Sequence, residues 1–253
     1  PSTRRIGVMD RCKEPGSQAE PLLLDVIAAV QEHWPQPQRP QVVGGRYGLA
    51  SKEFTPAMVK AVFDHLAQAE PCSHFTVGIN DDLTHHSLVV DPSFDVESAQ
   101  TLRAVFVGLG SDGTVGAAKH TLQIVGDATG LHGQGAFVYD SNKAGTVTTS
   151  HLRFSPTPIH AAHLIRQAQV LACHHWDLLA RLDLLELVEP GGVLLLNTPG
   201  PPAQSWDQLE PDLQEQIRVR QLRLFGVDAA AIARAHGLGG RINTVMQACF
   251  FAV

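Results

Sequence analysis

The chain has 253 residues, of which 44% are hydrophobic and 17% are charged, and its formal net charge is −6. This balance is typical of a folded globular protein, since a disordered chain would be poorer in Val, Leu and Ile. The negative charge argues against binding to a phosphate backbone, and the longest apolar stretches are far shorter than the roughly 20 residues that span a bilayer. We therefore expect neither nucleic acid nor a membrane as a partner.

The first hundred residues predict alternating strands and helices. In chain order these are strand RRIGVMD, helix EPLLLDVIAAVQEHW, strand PQVVGGRYGLA, helix TPAMVKAVFDHLAQA and strand HFTVGIN. Thr55 is the expected N-cap of the second helix, with Pro56 at its first position. The polar, irregular segment DDLTHHSLVVDPSFDVESAQ then predicts a connection or a domain boundary.

The remaining residues show a more regular alternation. The predicted elements are strand TLRAVFVGLG, helix TVGAAKHTLQIVGDAT, strands HGQGAFVYDS and TVTTSHLRFS, helix TPIHAAHLIRQ, strand AQVLACH, helix DLLARLDLLELV, turn PGG, strand VLLLNTP, helix DQLEPDLQEQIRVRQ, strand LRLFGVD, and helices AAAIARAHGLG and INTVMQACFFAV. Strands separated by 10 to 15 residues of helical pattern indicate βαβ units. The predicted fold is α/β, with a mostly parallel sheet and helices on its faces.

The segment GLGSDGTVGAAK, residues 108–119, lies between a predicted strand and a predicted helix. Ligands of α/β sheets usually bind at such a position, where glycines let the backbone approach an anion and the helix amides can receive a phosphate. We expect Ser111 and Thr114 to supply hydroxyl donors and Asp112 to cap the helix. The candidate residues are Gly108, Gly110, Ser111, Asp112, Gly113, Thr114 and Gly116.

Two standard nucleotide motifs match this segment poorly. The spacing GxGxxG fits the dinucleotide fingerprint, but its expected acidic partner, Asp140, lies nearly 30 residues past Gly110 instead of about 20. The Gly-Lys-Ser/Thr of a phosphate P-loop is absent. A nicotinamide site, a phosphate site and a purely structural glycine turn all remain open at this point.

Two other segments carry candidate ligand contacts. YDSNKAG places Asn142 and Lys143 directly after a predicted strand, where the ammonium could meet a phosphate or a carboxylate, or could simply be solvated. GLGGRIN is a second glycine turn before a helix and offers Arg241 and Asn243, although a helix C-cap explains the same glycines.

Metal binding and nucleophilic catalysis have little support in the sequence. The four cysteines, Cys12, Cys72, Cys173 and Cys249, form no CxxC pattern and are expected to be small buried thiols. The pairs His85–His86 and His174–His175 have no partner at helical ligand spacing, and adjacent histidines on a strand point to opposite faces. No GxSxG is present. The sequence therefore predicts no metal site and no catalytic residue of its own.

Several long segments resemble pyruvate:ferredoxin (flavodoxin) oxidoreductase, of the 2-oxoacid:ferredoxin oxidoreductase family. They are DRCKEPGSQAEPLLLDV, GGRYGLASKEFTPAMV, GLGSDGTVGAAK, GQGAFVYDSNKAGTVTTSHLRFSPTPI, VEPGGVLLLNTP and GLGGRINTVMQACFF. The resemblance implies that residues 1–98 end a domain related to the transketolase C-terminal domain, and that residues 99–253 are most of a gamma-type catalytic domain. The first residue, Pro1, and the apolar end QACFFAV also suggest a piece of a longer protein.

The resemblance implies a chemistry for that longer protein. Thiamine diphosphate attacks pyruvate, carbon dioxide leaves, electrons pass through iron–sulfur clusters to ferredoxin or flavodoxin, and coenzyme A takes the acetyl group. The gamma-type domain handles coenzyme A, so the glycine loop would hold its phosphate-bearing part, with Lys143 as counter-charge and Asn243 as a further contact. Three residues differ from the motifs of many relatives. Asn142 stands where those relatives have a second Lys, Ala118 where they have an Asn, and Cys12 where they have a Thr.

The expected setting follows from the same resemblance. The thiamine diphosphate and cluster domains are expected outside this chain, which should be inactive alone, and the parent enzyme is expected to be a homodimer. A cytoplasmic location is expected separately, because PSTRRIGVMDRCKEPG has no apolar signal-peptide core. Two other hypotheses remain: a nicotinamide-dependent dehydrogenase that uses the same loop, and a non-catalytic assembly module whose apolar C-terminal segment packs on a partner.

Overall fold

The computed structural model describes residues 3–81, 83–139 and 146–253. Its backbone divides into two compact units, Pro1–Val96 and Glu97–Val253. The candidates Asn142 and Lys143, and the proposed ribose partner Asp140, lie outside the described residues. No helix in the described part of the chain is long and apolar enough to cross a membrane.

The first unit is a small parallel sheet with two helices. Its elements are β1 (Arg5–Asp10), α1 (Pro21–His33), β2 (Gln41–Arg46), α2 (Pro56–Ala67) and β3 (Phe75–Thr76), with the strands in the order β1-β2-β3. Two glycines of β2 let the neighbouring side chains pack on the strand. A Cβ at Gly44 would lie 2.0 Å from Leu23 Cδ2, and a Cβ at Gly45 would lie 2.3 Å from Phe75 Cε2. The predicted third strand shortens to two residues.

Helix α2 begins with the predicted cap. Thr55 Oγ1 accepts a hydrogen bond from Met58 N at 3.3 Å, and Pro56 is the first helical residue. Thr55→Ala is expected to lower the stability of α2 by about 1 kcal/mol, because one amide of the first turn loses its acceptor. Native-state amide hydrogen exchange of α2 measures the loss, with Thr55→Ser as the control that keeps an Oγ. Equal protection in the Ala variant would contradict the role of the cap.

The second unit contains the larger sheet. Its elements are β4 (Leu102–Leu109), α3 (Thr114–Thr129), β5 (His132–Tyr139), β6 (Val147–Ser155), β7 (Ala168–Cys173), β8 (Val188–Asn197), α4 (Pro211–Val219), β9 (Arg223–Val227), α5 (Ala229–Ala235) and α6 (Ile242–Phe250). The strand order is β5-β6-β4-β7-β8-β9. Strands β4, β7, β8 and β9 pair in parallel with one another, and β6 is antiparallel to both of its neighbours, β5 and β4.

Two hydrophobic clusters cover the two faces of this sheet. One contains residues of α3, α5 and α6, among them Ala118, Ala233 and Met246, and the other contains Ile217 of α4. This arrangement confirms the predicted α/β fold with a mostly parallel sheet and helices on its faces. Ala118 is fully buried in the first cluster, so it packs in the core.

The helix predicted over residues 157–167 is wrong. The segment contains bends and irregular backbone without helical hydrogen bonds, and Gln134 Nε2 donates to its Ala161 carbonyl at 2.8 Å. Pro158 restricts the residue before it to extended conformations, which disfavours a helix start there. Ile165 is buried against the sheet, so the apolar positions of the segment serve packing rather than a helical face.

The helix predicted over residues 177–188 is also wrong. Short 3-10 turns at Trp176–Leu178 and Leu184–Leu187 take its place. Both turns bury leucines in the core, and pairs of apolar residues at this spacing suit short turns as well as a helix. The predicted PGG turn lies inside β8, where Gly191 has a φ of 79° and the pairing with β7 shifts register.

Candidate functional site

The glycine loop follows β4 at the carboxyl edge of the parallel strands, as the sequence predicts. Ser111 and Gly113 have left-handed φ values of 71° and 88°. A Cβ at Gly108 would lie 2.3 Å from Thr114 Oγ1 and 2.6 Å from Asp112 Oδ2, and a Cβ at Gly113 would lie 2.8 Å from Asn243 Nδ2. Glycine is therefore required at residues 108 and 113, because polar side chains of the loop and of α6 occupy the space beside them.

Asp112 holds the loop together through both carboxylate oxygens. Its Oδ2 accepts hydrogen bonds from Leu109 N at 2.7 Å and from Thr114 Oγ1 at 2.8 Å, and its Oδ1 accepts from Thr114 N at 2.7 Å. His175 Nε2 also donates to Oδ2, at 2.9 Å. The N-cap residue of α3 is Gly113 rather than the predicted Asp112, but Asp112 accepts from the first helical amide and joins the end of β4 to the segment after β7.

These hydrogen bonds decide the charge of Asp112. Burial raises the pKa of its carboxyl group, but the hydrogen bonds from His175, Leu109 N and Thr114 outweigh burial and lower the pKa to about 2. The side chain is therefore a carboxylate at any physiological pH. All of these contacts stabilise the charged form, so Asp112 is a fixed negative charge at the start of α3.

His174 extends this network into the core. Its side chain is fully buried, and its Nδ1 lies 3.0 Å from Thr114 Oγ1. Because Thr114 donates its hydroxyl proton to Asp112, Nδ1 must be the donor to Thr114. His174 Nε2 is then an acceptor, and it has no hydrogen-bond partner among the described residues. Burial lowers the pKa of His174 to about 4 despite the opposing charge of Asp112, so the ring is neutral.

Helix α6 lies beside α3 and runs in the same direction. Asn243 Nδ2 donates to the Gly113 carbonyl at 3.2 Å, and Gln247 Nε2 donates to the Ala117 carbonyl at 3.0 Å. Residues 243 and 247 are about one helical turn apart, as are residues 113 and 117. The two helices therefore begin at the same place, and Arg241 is exposed at the N-cap of α6.

This convergence places two partial positive charges beside the loop. The first amides of a helix have no acceptor within it, and each helix N-terminus acts as roughly half a positive charge. Gly116, in the first turn of α3, is exposed, and a Cβ there would meet nothing within 4 Å. An anion can thus reach the amides of α3 that Asp112 does not occupy, close to the start of α6.

The structure brings most of the predicted site residues together. Residues 108–116 form the loop, and Arg241 and Asn243 lie at the adjoining start of α6. Sequence reasoning missed His174, His175 and Gln247, which fasten the loop from β7 and α6. The signal available for the histidines was their place directly after the strand AQVLAC, at the carboxyl edge of the sheet.

The described residues give little support for a metal centre. They contain no group of three or more His, Cys, Asp or Glu side chains placed to hold a metal ion. Cys173 is the expected buried thiol, and burial raises its pKa to about 12, but the prediction of buried thiols is wrong for Cys12 and Cys72, which are exposed. The described side chains therefore do not fit the iron–sulfur clusters that the family resemblance implies.

Comparisons with known proteins assign the family. Residues 103–253 match the family described as pyruvate ferredoxin/flavodoxin oxidoreductase. A pyruvate-flavodoxin oxidoreductase from Nostoc sp. is 53% identical over 100% of this chain and 22% of its own length, and a pyruvate:ferredoxin oxidoreductase from Moorella thermoacetica is 50% identical over 100% of this chain and 21% of its own. The chain thus spans about a fifth of the length of these relatives.

A solved structure from these comparisons also aligns with part of the chain. It is a 2-oxoglutarate:ferredoxin oxidoreductase from Magnetococcus marinus with 2-oxoglutarate, coenzyme A and succinyl-CoA bound, aligned over 58% of this chain and 23% of its own at 15% identity and a TM-score of 0.45. The assignment rests on the family match, which covers more than half of the chain, and on the sequence relatives. This chain belongs to the pyruvate ferredoxin/flavodoxin oxidoreductase family.

Proposed function

We propose that this chain is the coenzyme A-binding part of a longer oxidoreductase that decarboxylates pyruvate oxidatively to acetyl-CoA. The observation that supports the proposal most is the convergence of the N-termini of α3 and α6 on the glycine loop. Coenzyme A carries three phosphates, and helix N-termini are suited to such anions. The relatives, a pyruvate-flavodoxin and a pyruvate:ferredoxin oxidoreductase, support the pyruvate reaction and ferredoxin or flavodoxin as the electron acceptor.

The proposal also covers the longer protein. Residues 1–98 would end a transketolase C-terminal-like domain, and residues 99–253 would be the gamma-type catalytic domain. Thiamine diphosphate and the iron–sulfur clusters would bind to its other domains, which are the partners we expect for this chain. We further propose a cytoplasmic homodimer as the working enzyme.

The loop residues take different roles in this proposal. The free amides at the start of α3 and the exposed hydroxyl of Ser111 would contact a phosphate, and Arg241 would add a positive charge from α6. Asp112 and Asn243 are engaged in fastening the loop, so we assign them to positioning. Lys143, which lies outside the described residues, is retained as a proposed counter-charge.

Calorimetric titration with coenzyme A tests the proposal. Arg241→Ala and Lys143→Ala are each expected to weaken binding about fivefold, because each removes one charge-assisted contact to a phosphate. Arg223→Ala is the matched control, since Arg223 is exposed at the first residue of β9, at the amino edge of the parallel strands, and its loss should leave the affinity unchanged.

Two other outcomes would reject this function. Binding of NADH without any signal for coenzyme A would support the nicotinamide-dependent dehydrogenase. Binding of no cofactor, together with a concentration-dependent dimer in sedimentation, would support an assembly module.

A further inference from the structure

His175 lies at the edge of the anion site without a role in the proposed function. It is the second residue after β7, its side chain is 31% exposed, and its Nε2 donates to Asp112 Oδ2 at 2.9 Å. A carboxylate can only accept, so Nε2 carries a hydrogen and Nδ1 is the atom at which the ring gains or loses a proton. Among the described residues, no hydrogen bond to Nδ1 is found.

The negative charge of Asp112 creates a difficulty for an anion at this loop. Its carboxylate occupies the amide of Thr114, so a phosphate bound to the next amides of α3 would lie within a few ångströms of it. Like charges at this distance repel each other, and the two helix N-termini supply only partial positive charges. A full positive charge in contact with Asp112 would remove the repulsion.

We propose that His175 is the proton-binding residue of the anion site, and that its imidazole takes up a proton at Nδ1 when coenzyme A binds. The proton comes from solvent and no other bond changes. This inference rests on the proposed function, because it requires an anion at the loop. The bound phosphate adds a second negative charge beside the ring, and both negative charges favour the imidazolium over the neutral imidazole.

The other groups near His175 are compatible with this role. Asp112 contacts its Nε2 from the loop, His174 adjoins it after β7, and the buried thiol of Cys173 donates to its carbonyl. His174 is fully buried and neutral, so it places no competing positive charge beside His175 near neutral pH. Asp112 is a carboxylate near neutral pH, so it does not change charge there. We therefore assign the change of charge in this network to His175.

Calorimetry in buffers of different ionisation enthalpy measures the proton directly. The probes are coenzyme A and dephospho-coenzyme A, whose diphosphate has no protonation step near neutral pH. The wild-type chain is expected to take up a fraction of one proton per ligand at pH 7. A 3′-phosphate that loses a proton on binding would release a proton instead of taking one up. Proton uptake with both probes therefore shows that a side chain of the protein gains the proton.

Two variants separate charge from structure. His175→Gln can still donate to Asp112 from its amide, so the loop keeps this contact, but the proton uptake should vanish and affinity should fall about fivefold at pH 6 and remain unchanged at pH 8.5. His175→Lys carries a permanent charge and should bind tightly without uptake. His236→Gln, at an exposed histidine after α5, is the matched control and should behave as the wild type.

The outcomes distinguish the two proposals. If the wild-type chain binds neither probe at any pH, the proposed function is overturned, and this inference falls with it. If it binds and the His175→Gln chain takes up the same fraction of a proton, only the role of His175 is overturned. Circular dichroism establishes that each variant is folded, and the His175→Lys chain carries the test if His175→Gln does not fold.

Discussion

Replacing Gly108 with valine is expected to lower the free energy of unfolding of the second unit by about 3 kcal/mol, with a loss of coenzyme A affinity of about tenfold or more. The first added carbon would lie 2.3 Å from Thr114 Oγ1 and 2.6 Å from Asp112 Oδ2. Those two atoms are hydrogen-bonded to each other and fasten the loop to α3 and His175. The substitution therefore breaks the hydrogen bond between Thr114 and Asp112 and displaces the other groups bonded to these two atoms, Leu109 N, His174 and His175.

Urea unfolding and coenzyme A titration of the Gly108→Val chain measure both effects. Gly116→Ala is the matched control, because residue 116 lies in the first turn of α3 and has open space around an added Cβ. Alanine in a helix is expected to raise stability by about 0.5 kcal/mol, while its methyl group stands where the proposed phosphate binds. An unchanged urea midpoint in Gly108→Val would refute the close packing of the loop, and full affinity in Gly116→Ala would remove Gly116 from the anion site.

The features predicted correctly from the sequence are those with local causes. The glycine loop, the cap at Thr55 and the helix from Thr114 each depend on residues within one or two turns of each other. An apolar strand, a glycine turn and a helical pattern in succession also suffice to predict the loop at the carboxyl edge of a parallel strand. The α/β fold follows from the repetition of that pattern along the chain.

The features that were missed depend on contacts between distant residues. Asp112 meets His175 because β4 pairs with β7, and Gly113 meets Asn243 because α6 packs on α3. No local pattern encodes either neighbour. The two wrong helices have the same origin, since their leucines and Ile165 are placed by the core of the sheet rather than by helical propensity. The contact of Lys143 with a phosphate remains a prediction.

The stability of the second unit is expected to fall steeply as pH decreases from about 6.5 to 4. Burial lowers the pKa of His174 to about 4, and burial together with the charge of Arg153 does the same for His151. The unfolded chain protonates both rings near the ordinary value of 6.5, while the folded chain keeps them neutral until about pH 4. The contribution of the two neutral rings to the free energy of unfolding is thus complete above pH 6.5. About 3 kcal/mol of that free energy is lost for each ring by pH 4.

Urea unfolding in a Trp34→Phe background measures this dependence, because the two remaining tryptophans, Trp176 and Trp206, both lie in the second unit. His174→Asn is the informative variant: its amide nitrogen can donate to Thr114 as Nδ1 does, but it cannot be protonated. It should be less stable at pH 7.5, owing to the smaller side chain, and should lose less stability on acidification.

The exposed control His236→Gln should retain the full pH dependence of the wild type. Equal acid losses in His174→Asn and the wild type would mean that the folded chain already binds a proton at His174. Both ring nitrogens would then be donors, including the buried Nε2 that has no acceptor among the described residues. That result would contradict the assignment of His174 as a neutral ring that donates to Thr114 and, through Thr114, orients the Asp112 carboxylate.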